Sequence, residues 1–502
     1  NQAFQCVALN WVDTDLPLTY QFGYVSSDGV SVVVRSKLEL SYGSFLLPAG
    51  SSEANRKVSC AVQIFDVLAA NASATYAVTV TESVALDATQ MQDFVTSSLA
   101  DASVDADSIK QAAALSSYLL NAVNCTMAPN CSSLHRKSCL STAHTCGVCE
   151  SLLYVGEEGD SNEPCYSRAE FQRTRRLSSG VVKSCPAGCS GHGACTHVSA
   201  DSGDVITSDM PPCLEGDARC LAVCDCEDAF FGSDSCEFST EEVAQRQSSR
   251  ELVVSGLQTL IGLEDPDEQV IGGWVNSLVQ ASQTPSELSE ASALTVLSLV
   301  DTVTAAASSA TSGSVSSETI AGLLSAVNSV AAASTKASIR RRLSEHRHRR
   351  TTSSSFGASP NSDSVDATRD VLNSFGSLVA KSLLPGQDAA QFTQGEFRIS
   401  VQVLAGSSEE ISPGLSLSVP QTALEQLLGA SPSQVAVPSG AAEDVSLVAT
   451  SVRSEHFRSL GQDLMSNPLT LFASSPLCDE PPCFVDVVLQ NSHAVDFAVL
   501  NK

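Results

Sequence analysis

The chain has 502 residues, and single hydrophobic cores rarely extend beyond ~250 residues, so two to four domains are expected. Hydrophobic residues make up 43% and charged residues 17%, which excludes a wholly disordered chain, while aromatics at only 5% leave the cores to Val, Leu and Ala. With 56 acidic against 28 basic residues, the formal charge of -28 repels phosphate backbones and anionic headgroups, so nucleic acid is not an expected partner.

Residues 1–82 read as β structure. Tyr20, Phe22 and Tyr24 alternate, as do Val30, Val32 and Val34, and Val58, Cys60, Val62 and Ile64 keep the same period of two. Asp28-Gly29 and Pro48-Ala-Gly50 supply turns between these runs. A small β-sandwich follows, with Cys6 and Cys60 available to cross-link its strands. The pattern Cys6-x-x-x-Asn10-Trp11-x-Asp13-x-Asp15-x-Pro17-Leu18-x-Tyr20-x-Phe22, with Leu47-Pro48-x-Gly50, Val62-x-Ile64-x-Asp66 and Val78-Thr-Val80, resembles the end of a receptor-for-egg-jelly (REJ) region. That resemblance implies an extracellular part of a polycystin-type protein, built from immunoglobulin-like or fibronectin-like sandwiches. Asp13 and Asp15 are weak candidates for a calcium site. Two carboxylates fall well short of the six to eight oxygens calcium takes, and a solvated turn is the plainer reading.

Over residues 83–124 the period becomes helical. Met91, Phe94, Val95 and Leu99 form one stripe, and Ile109, Ala112, Ala113, Tyr118, Leu119, Leu120 and Val123 form another after an Asp-rich break that supplies an N-cap.

Twelve of the 18 cysteines lie between Cys139 and Cys236. Dense, even cysteines with an acidic surface and Asn-x-Ser/Thr glycan acceptors at Asn71, Asn124 and Asn130 point to an oxidising, extracellular compartment. The chain has no run of 18 apolar residues, and its first residues carry neither a charged nor an apolar leader region. It is therefore expected to be a fragment of a longer precursor or an incomplete gene product, reaching a membrane only through segments outside this sequence.

Residues 125–180 hold Cys125, Cys131, Cys139, Cys146, Cys149 and Cys165. Six cysteines allow fifteen connectivities, and sequence does not choose among them. Cys146-Gly-Val-Cys149 has the spacing of a redox motif or half a zinc site, but lacks the second half-site and a thioredoxin-like context. The segment distantly resembles the plexin-semaphorin-integrin cysteine knot, with Val148 where that family has Trp.

Residues 181–238 contain Cys185-x-x-x-Cys189-Ser-Gly191-His192-Gly193-x-Cys195, then Cys224-x-Cys226 and Gly232-x-x-x-Cys236. This resembles an epidermal-growth-factor-like (EGF-like) module of the tenascin kind. The resemblance implies the pairs Cys185–Cys195, Cys189–Cys224 and Cys226–Cys236, leaving Cys213 and Cys220 to pair inside an insertion that the family lacks. Glycines there would serve turns of positive φ, and His192 and His197 read as turn residues rather than zinc ligands.

Residues 239–394 read as amphipathic helices in series. Ser239-Thr-Glu-Glu242 and Thr284-Pro285-Ser-Glu287 are capping-box patterns, and Ile320, Leu323, Leu324, Val327 and Val330 form a clean stripe. The basic and Ser-rich stretch near 336–362, with Arg340 to Arg350 at its centre, shows no apolar period and is expected to be a disordered loop, with processing after Arg350 as an alternative. Arg173-Thr-Arg-Arg176 is a shorter run of the same kind.

Residues 395–502 return to alternation at Phe397, Ile399, Val401 and Val403, at Val445, Leu447 and Ala449, and at Val485, Val487 and Leu489, with Cys478 and Cys483 closing a small loop. Helices followed by strands after an REJ-like segment resemble the GPCR-autoproteolysis-inducing (GAIN) region of adhesion receptors. The His-Leu-Ser/Thr proteolysis site of that family is absent, so autoproteolysis is not expected of this chain.

The expected fold class is thus multidomain α+β: an N-terminal β-sandwich, a disulfide-rich EGF-like segment, and a helical bundle followed by a C-terminal GAIN-like β-sandwich. Gly-x-Ser-x-Gly, His-Glu-x-x-His and phosphate-binding glycine runs are missing, and no cofactor or enzyme activity is expected. The expected role is the ectodomain of a polycystin-like membrane protein in adhesion, ligand sensing or force transmission, with extracellular protein or glycan ligands. A secreted or wall-associated matrix protein is the alternative.

Overall fold

Alternation at the N-terminus produces two antiparallel sheets in the computed structural model. Strands β1 (Phe4–Val7), β2 (Thr19–Val25), β3 (Ser31–Leu38), β4 (Tyr42–Phe45), β5 (Lys57–Phe65) and β6 (Asn71–Thr79) pair in the orders β3-β2-β5-β6 and β1-β4. The structure describes the chain except residues 1–2, 27–28, 30, 51–54, 82–85, 103–104, 171–179, 201–202, 208–209, 218–219, 311–314, 350–361, 405–415, 429–431, 437–444, 453–468, 475–485 and 489–502. It divides into two compact units: residues 1–122, 241–311 and 316–326 form the first, and residues 123–240, 312–315 and 327–502 the second. The whole is mixed α+β, with several small sheets and many disulfides.

In the first unit, Phe22, Tyr24, Val32, Val34, Phe45 and Ile64 fill the core between the two sheets, and a disulfide from Cys6 on β1 to Cys60 on β5 ties them together. Helices α1 (Ala88–Asp101) and α2 (Ala106–Leu120) follow. Asp87 caps α1 in a reciprocal box with Gln90, and Asp105 caps α2 by accepting from the Ser108 amide. The Ser108 hydroxyl and amide, both donating to Asp105, hold its carboxyl below the usual aspartate value. Helices α3 (Thr240–Leu263), α4 (Glu268–Ser282) and α5 (Glu290–Ala310), with the start of α6 (Ser317–Arg349), complete the unit. Val253, Leu257, Ile271, Trp274, Val296 and Val300 are buried along these helices at the three-and-four spacing of amphipathic stripes. By length and composition α5 is apolar enough to cross a bilayer, but half of its apolar window is buried inside the protein, as in a core helix.

The expected capping box at Thr284–Glu287 is replaced by something else. Thr284 makes no side-chain cap, Pro285–Glu287 form a single 3₁₀ turn, and the Glu287 carboxylate turns inward to the guanidinium groups of Arg246 and Arg250. Two buried cations outcompete exposed backbone amides for the one carboxylate.

The second unit begins with short hairpin strands β7 (Tyr154–Val155) and β8 (Tyr166–Ser167), then the hairpin β9 (Gly193–Ser199) and β10 (Cys220–Cys226). Its remainder is the second part of α6, helix α7 (Ser362–Ala380), the sheet β11 (Ala390–Thr393), β12 (Phe397–Val403), β15 and β16, and the smaller sheet β13 (Ser416–Ser418), β14 (Gln434–Ala436) and β17. Here β15 is Ser446–Val452, β16 is Leu469–Ala473 and β17 is Asp486–Val488, while the short helix α8 (Ala423–Leu428) follows β13. Gly376 of α7 lies against β15, where a Cβ would come within 2.5 Å of the Val448 side chain.

The basic stretch differs from its expectation as a loop: α6 is helical through Arg349. Ile339 and Leu343, four residues apart, bury against Val198 of β9 with Leu221 and Val223 of β10, an apolar pair that the surrounding arginines obscure in the sequence. Acidic residues of the disulfide segment meet the flanking cations: Lys336 and Arg340 pair with Asp234, Arg342 with Asp204, and Arg347 with Asp225 and Asp228. Arg350 and Arg173–Arg176 lie outside the described residues, as do Cys478 and Cys483.

Candidate functional site

Disulfides organise the middle of the second unit. The structure bridges Cys185 to Cys195, Cys189 to Cys224, Cys213 to Cys220 and Cys226 to Cys236. Among the six cysteines with open connectivity it bridges Cys125 to Cys139, Cys131 to Cys146 and Cys149 to Cys165, so Cys146 and Cys149 serve different bridges. No described cysteine is free. Cys185, Cys189 and Cys224 converge like a metal triad, but all three are consumed by disulfides, which removes the thiolates a metal would need. His192 stacks on Phe230 at 3.8 Å, and His197 Nε2 lies 2.9 Å from the Lys183 carbonyl, so both rings have structural partners. Gly193 is required for space rather than for φ: a Cβ there would stand 2.7 Å from the Cys236 sulfur and 2.8 Å from the Asp225 carbonyl.

A cavity of about 290 Å³ opens within this unit, lined by the apolar Leu221, Val223, Ile339 and Leu343 and by charged groups that include Glu157, Asp160, Glu163 and Lys183. That volume is at the small end of the range for ligand pockets, ~300–1,000 Å³. Among the lining groups the Lys183 ammonium, only 3% exposed, donates to Glu163 at 2.7 Å and lies 3.6 Å from Glu157. Glu163 also accepts from the Gly216 amide at 2.9 Å, and Glu157 from the Ser161 hydroxyl at 2.7 Å. Behind them Arg136 donates to the carbonyls of Gly147 and Gly159 at 3.0 Å and of Glu157 at 2.8 Å, so one guanidinium closes the module without a carboxylate. Burial pulls that guanidinium's pKa down, and the nearby Glu157 and Glu163 oppose the shift. Asp160, at the cavity wall, has its carboxyl pushed up by burial, against the Thr142 hydrogen bond and the Lys336 and Arg136 charges. Burial and then the Glu157 charge push the Glu163 carboxyl up as well. Sequence spacing singles out none of these groups, because they come together only when the bridges close.

The second place of interest is the loop end of the sandwich. Asp13 and Asp15 are exposed, and the fold brings Asp66 to them, the three carboxylates lying within 4.8 Å of one another. Asp13 accepts from the Asp15 amide at 3.0 Å and Asp66 from the Ala70 amide at 2.9 Å, which are loop-shaping bonds. Three carboxylates remain short of a calcium shell.

Asn71, Asn124 and Asn130 are all exposed. The side-chain Oδ1 of Asn124 accepts from the Thr126 hydroxyl and that of Asn130 from the Ser132 hydroxyl, both at 2.8 Å, while Asn124 Nδ2 donates to Glu237 at 2.8 Å.

No curated protein matches the chain. The disulfides, together with a match to one family model, point to an extracellular or secreted region. That family model is the REJ domain, and it matches residues 1–117, from the start of the sandwich through most of α2.

Proposed function

We propose that the chain is the non-catalytic extracellular region of a polycystin-like, REJ-type membrane protein, serving adhesion, ligand sensing or force transmission to a membrane domain outside this sequence. The observation that carries this reading is the coupling of a REJ match with eight disulfides among the described residues, seven of them between Cys125 and Cys236. Each bridge limits how far its loop extends when the chain is pulled, which suits a spacer under load. Residues 181–238 act in this proposal as an EGF-like module and the helices with the following sheets as a GAIN-like region. Glycans on Asn71, Asn124 and Asn130 cover the surface, and extracellular proteins or glycans are the ligands. The role requires no cofactor.

The test is surface labelling of intact cells with an antibody to residues 1–117, combined with transcript sequence past Lys502. Labelling without permeabilisation and downstream apolar segments of about 20 residues are expected. Labelling that appears only after permeabilisation overturns the extracellular reading, and a stop codon directly after Lys502 overturns the membrane-anchored one.

A further inference from the structure

The two edges of the four-stranded sheet β3-β2-β5-β6 are treated in opposite ways. Unpaired edges template association with other chains, and natural sheets blunt them with charges, proline, bulges or covering elements. The β3 edge has several such guards. It carries Arg35 and Lys37, its pairing with β2 is interrupted by register shifts, and side chains from neighbouring helices occupy its backbone. Asp107 accepts from the Ser36 amide at 2.8 Å and Asn276 donates to the Ser31 carbonyl at 2.9 Å.

Among the described residues, and apart from the glycan acceptor Asn71 at its first position, the β6 edge has none of these guards. Its nine residues, Asn-Ala-Ser-Ala-Thr-Tyr-Ala-Val-Thr, include no charge, proline or glycine. Its register against β5 is unbroken from Phe65↔Asn71 to Lys57↔Thr79, and among the described residues β6 pairs with β5 alone. Most of its side chains are exposed on both faces, and Tyr76 stands 76% exposed. At about 3.4 Å per residue it offers roughly 30 Å of open ladder.

We propose that β6 is a dimerisation edge, on which a second copy of this chain lays its own β6 antiparallel across a two-fold axis, so that two four-stranded sheets become one. Charge selects this occupant. Two copies of net charge -28 add no direct repulsion where their contact is neutral, and β6 is neutral along its whole length. An extended ligand of opposite charge would call for a charged edge, which β6 lacks. The strand is also self-complementary. Centred on Thr75 opposite Thr75, it sets Ala74 against Tyr76, Ser73 against Ala77, Ala72 against Val78 and Asn71 against Thr79, pairing β-formers with small residues and placing the Asn71 acceptor at the outer end of the ladder. Two-fold, self-matching interfaces are the commonest kind in homo-oligomers.

Sedimentation velocity on the full, disulfide-intact chain tests this. A concentration-dependent dimer is expected, and it should strengthen with added salt, because salt screens the residual repulsion between acidic bodies and has no interfacial ion pair to weaken. Thr75→Lys and Thr75→Glu each place like charges opposite themselves and should weaken dimerisation about tenfold or more, while an equimolar mixture of the two should recover it. Thr75 is exposed, so both variants should keep the parent's thermal midpoint, which serves as the folding control. As a second measurement, amide exchange over 71–79 should slow at dimer-forming concentration. The proposal is overturned if the parent stays monomeric at all concentrations, if either Thr75 variant dimerises as the parent does, or if the mixture fails to recover association.

Discussion

Arg250 donates through Nη2 to Glu287 Oε2 across 2.6 Å, with the two side chains 0% and 7% exposed inside the first unit. Arg246 shares the same carboxylate, and the guanidiniums also reach the carbonyls of Leu120 and Ala281. Burial, with the neighbouring Arg246 charge, lowers the pKa of Arg250, and the Glu287 carboxylate opposes that shift. Glu287→Gln removes the anion and leaves two buried cations. A loss of about 3–5 kcal/mol is expected, read as faster amide exchange across α3 and α5. Replacing all three residues by apolar side chains of similar volume should recover most of that loss, because a buried ion network seldom exceeds a packed apolar core in stability.

The cavity wall gives a pH dependence of definite sign. The Asp160 carboxyl is raised above 3.8 chiefly by burial, and that of Glu163 above 4.5 by burial and the Glu157 charge. The unfolded chain therefore gives up these protons first as pH rises, the folded state binds more protons in that window, and stability falls. The contribution is fully present below the unfolded values and is lost as pH climbs through the folded ones. Asp160→Asn keeps a group that can bond Thr142 and removes the buried charge. The variant should unfold at higher temperature than the parent at neutral pH and show a flatter profile above pH 3.8, as measured by calorimetry of the second unit's transition.

Bridge removal should be costly in the segment with the fewest large apolar residues. Cys131 and Cys146 close a loop of sequence separation 15, for which chain entropy alone implies about 3 kcal/mol. The paired change Cys131→Ser with Cys146→Ser should therefore open residues 125–167 to protease while the Cys185–Cys236 bridges stay oxidised. Peptide mapping of the digest reads both results at once.

Local rules made part of the architecture legible. Apolar residues at every second position marked β2, β3 and β5, although β2, at the centre of its sheet, is buried on both faces, and an aspartate before an apolar stripe marked the α2 cap at Asp105. What stayed hidden depends on partners far along the chain. Glu287 has the spacing of a capping residue, and only the arrival of Arg246 and Arg250 turns it inward. The arginines of α6 look like a solvated loop until Asp204, Asp225, Asp228 and Asp234 face them. The cavity at Asp160 and Lys183 has no signature in spacing, because its walls come from two separately bridged segments and from α6, and the bridges of the first, Cys125 to Cys165, were left open by the sequence. Asp66 joins Asp13 and Asp15 only because β2 and β5 are neighbours in the sheet.

The facing charges on α6 also set a protease test. Asp234 receives Lys336 at 2.7 Å and Arg340 at 3.3 Å, and Arg340 donates further to the Gly232 carbonyl at 2.7 Å. These pairs are partly exposed, so each is worth a few tenths of a kcal/mol to about 1 kcal/mol. Asp234→Asn should raise the population of the locally opened helix by roughly fivefold, and trypsin cleavage after Lys336 and Arg340 should rise in proportion, because cleavage follows the open fraction when reclosing is fast. Ile339→Ala removes apolar burial against Val198 instead and should open the same segment at least as far, at a cost of about 2–5 kcal/mol. If Asp234→Asn leaves the cleavage rate unchanged while Ile339→Ala raises it, the helix is held by its apolar pair alone, and the cations merely shield themselves on acidic neighbours.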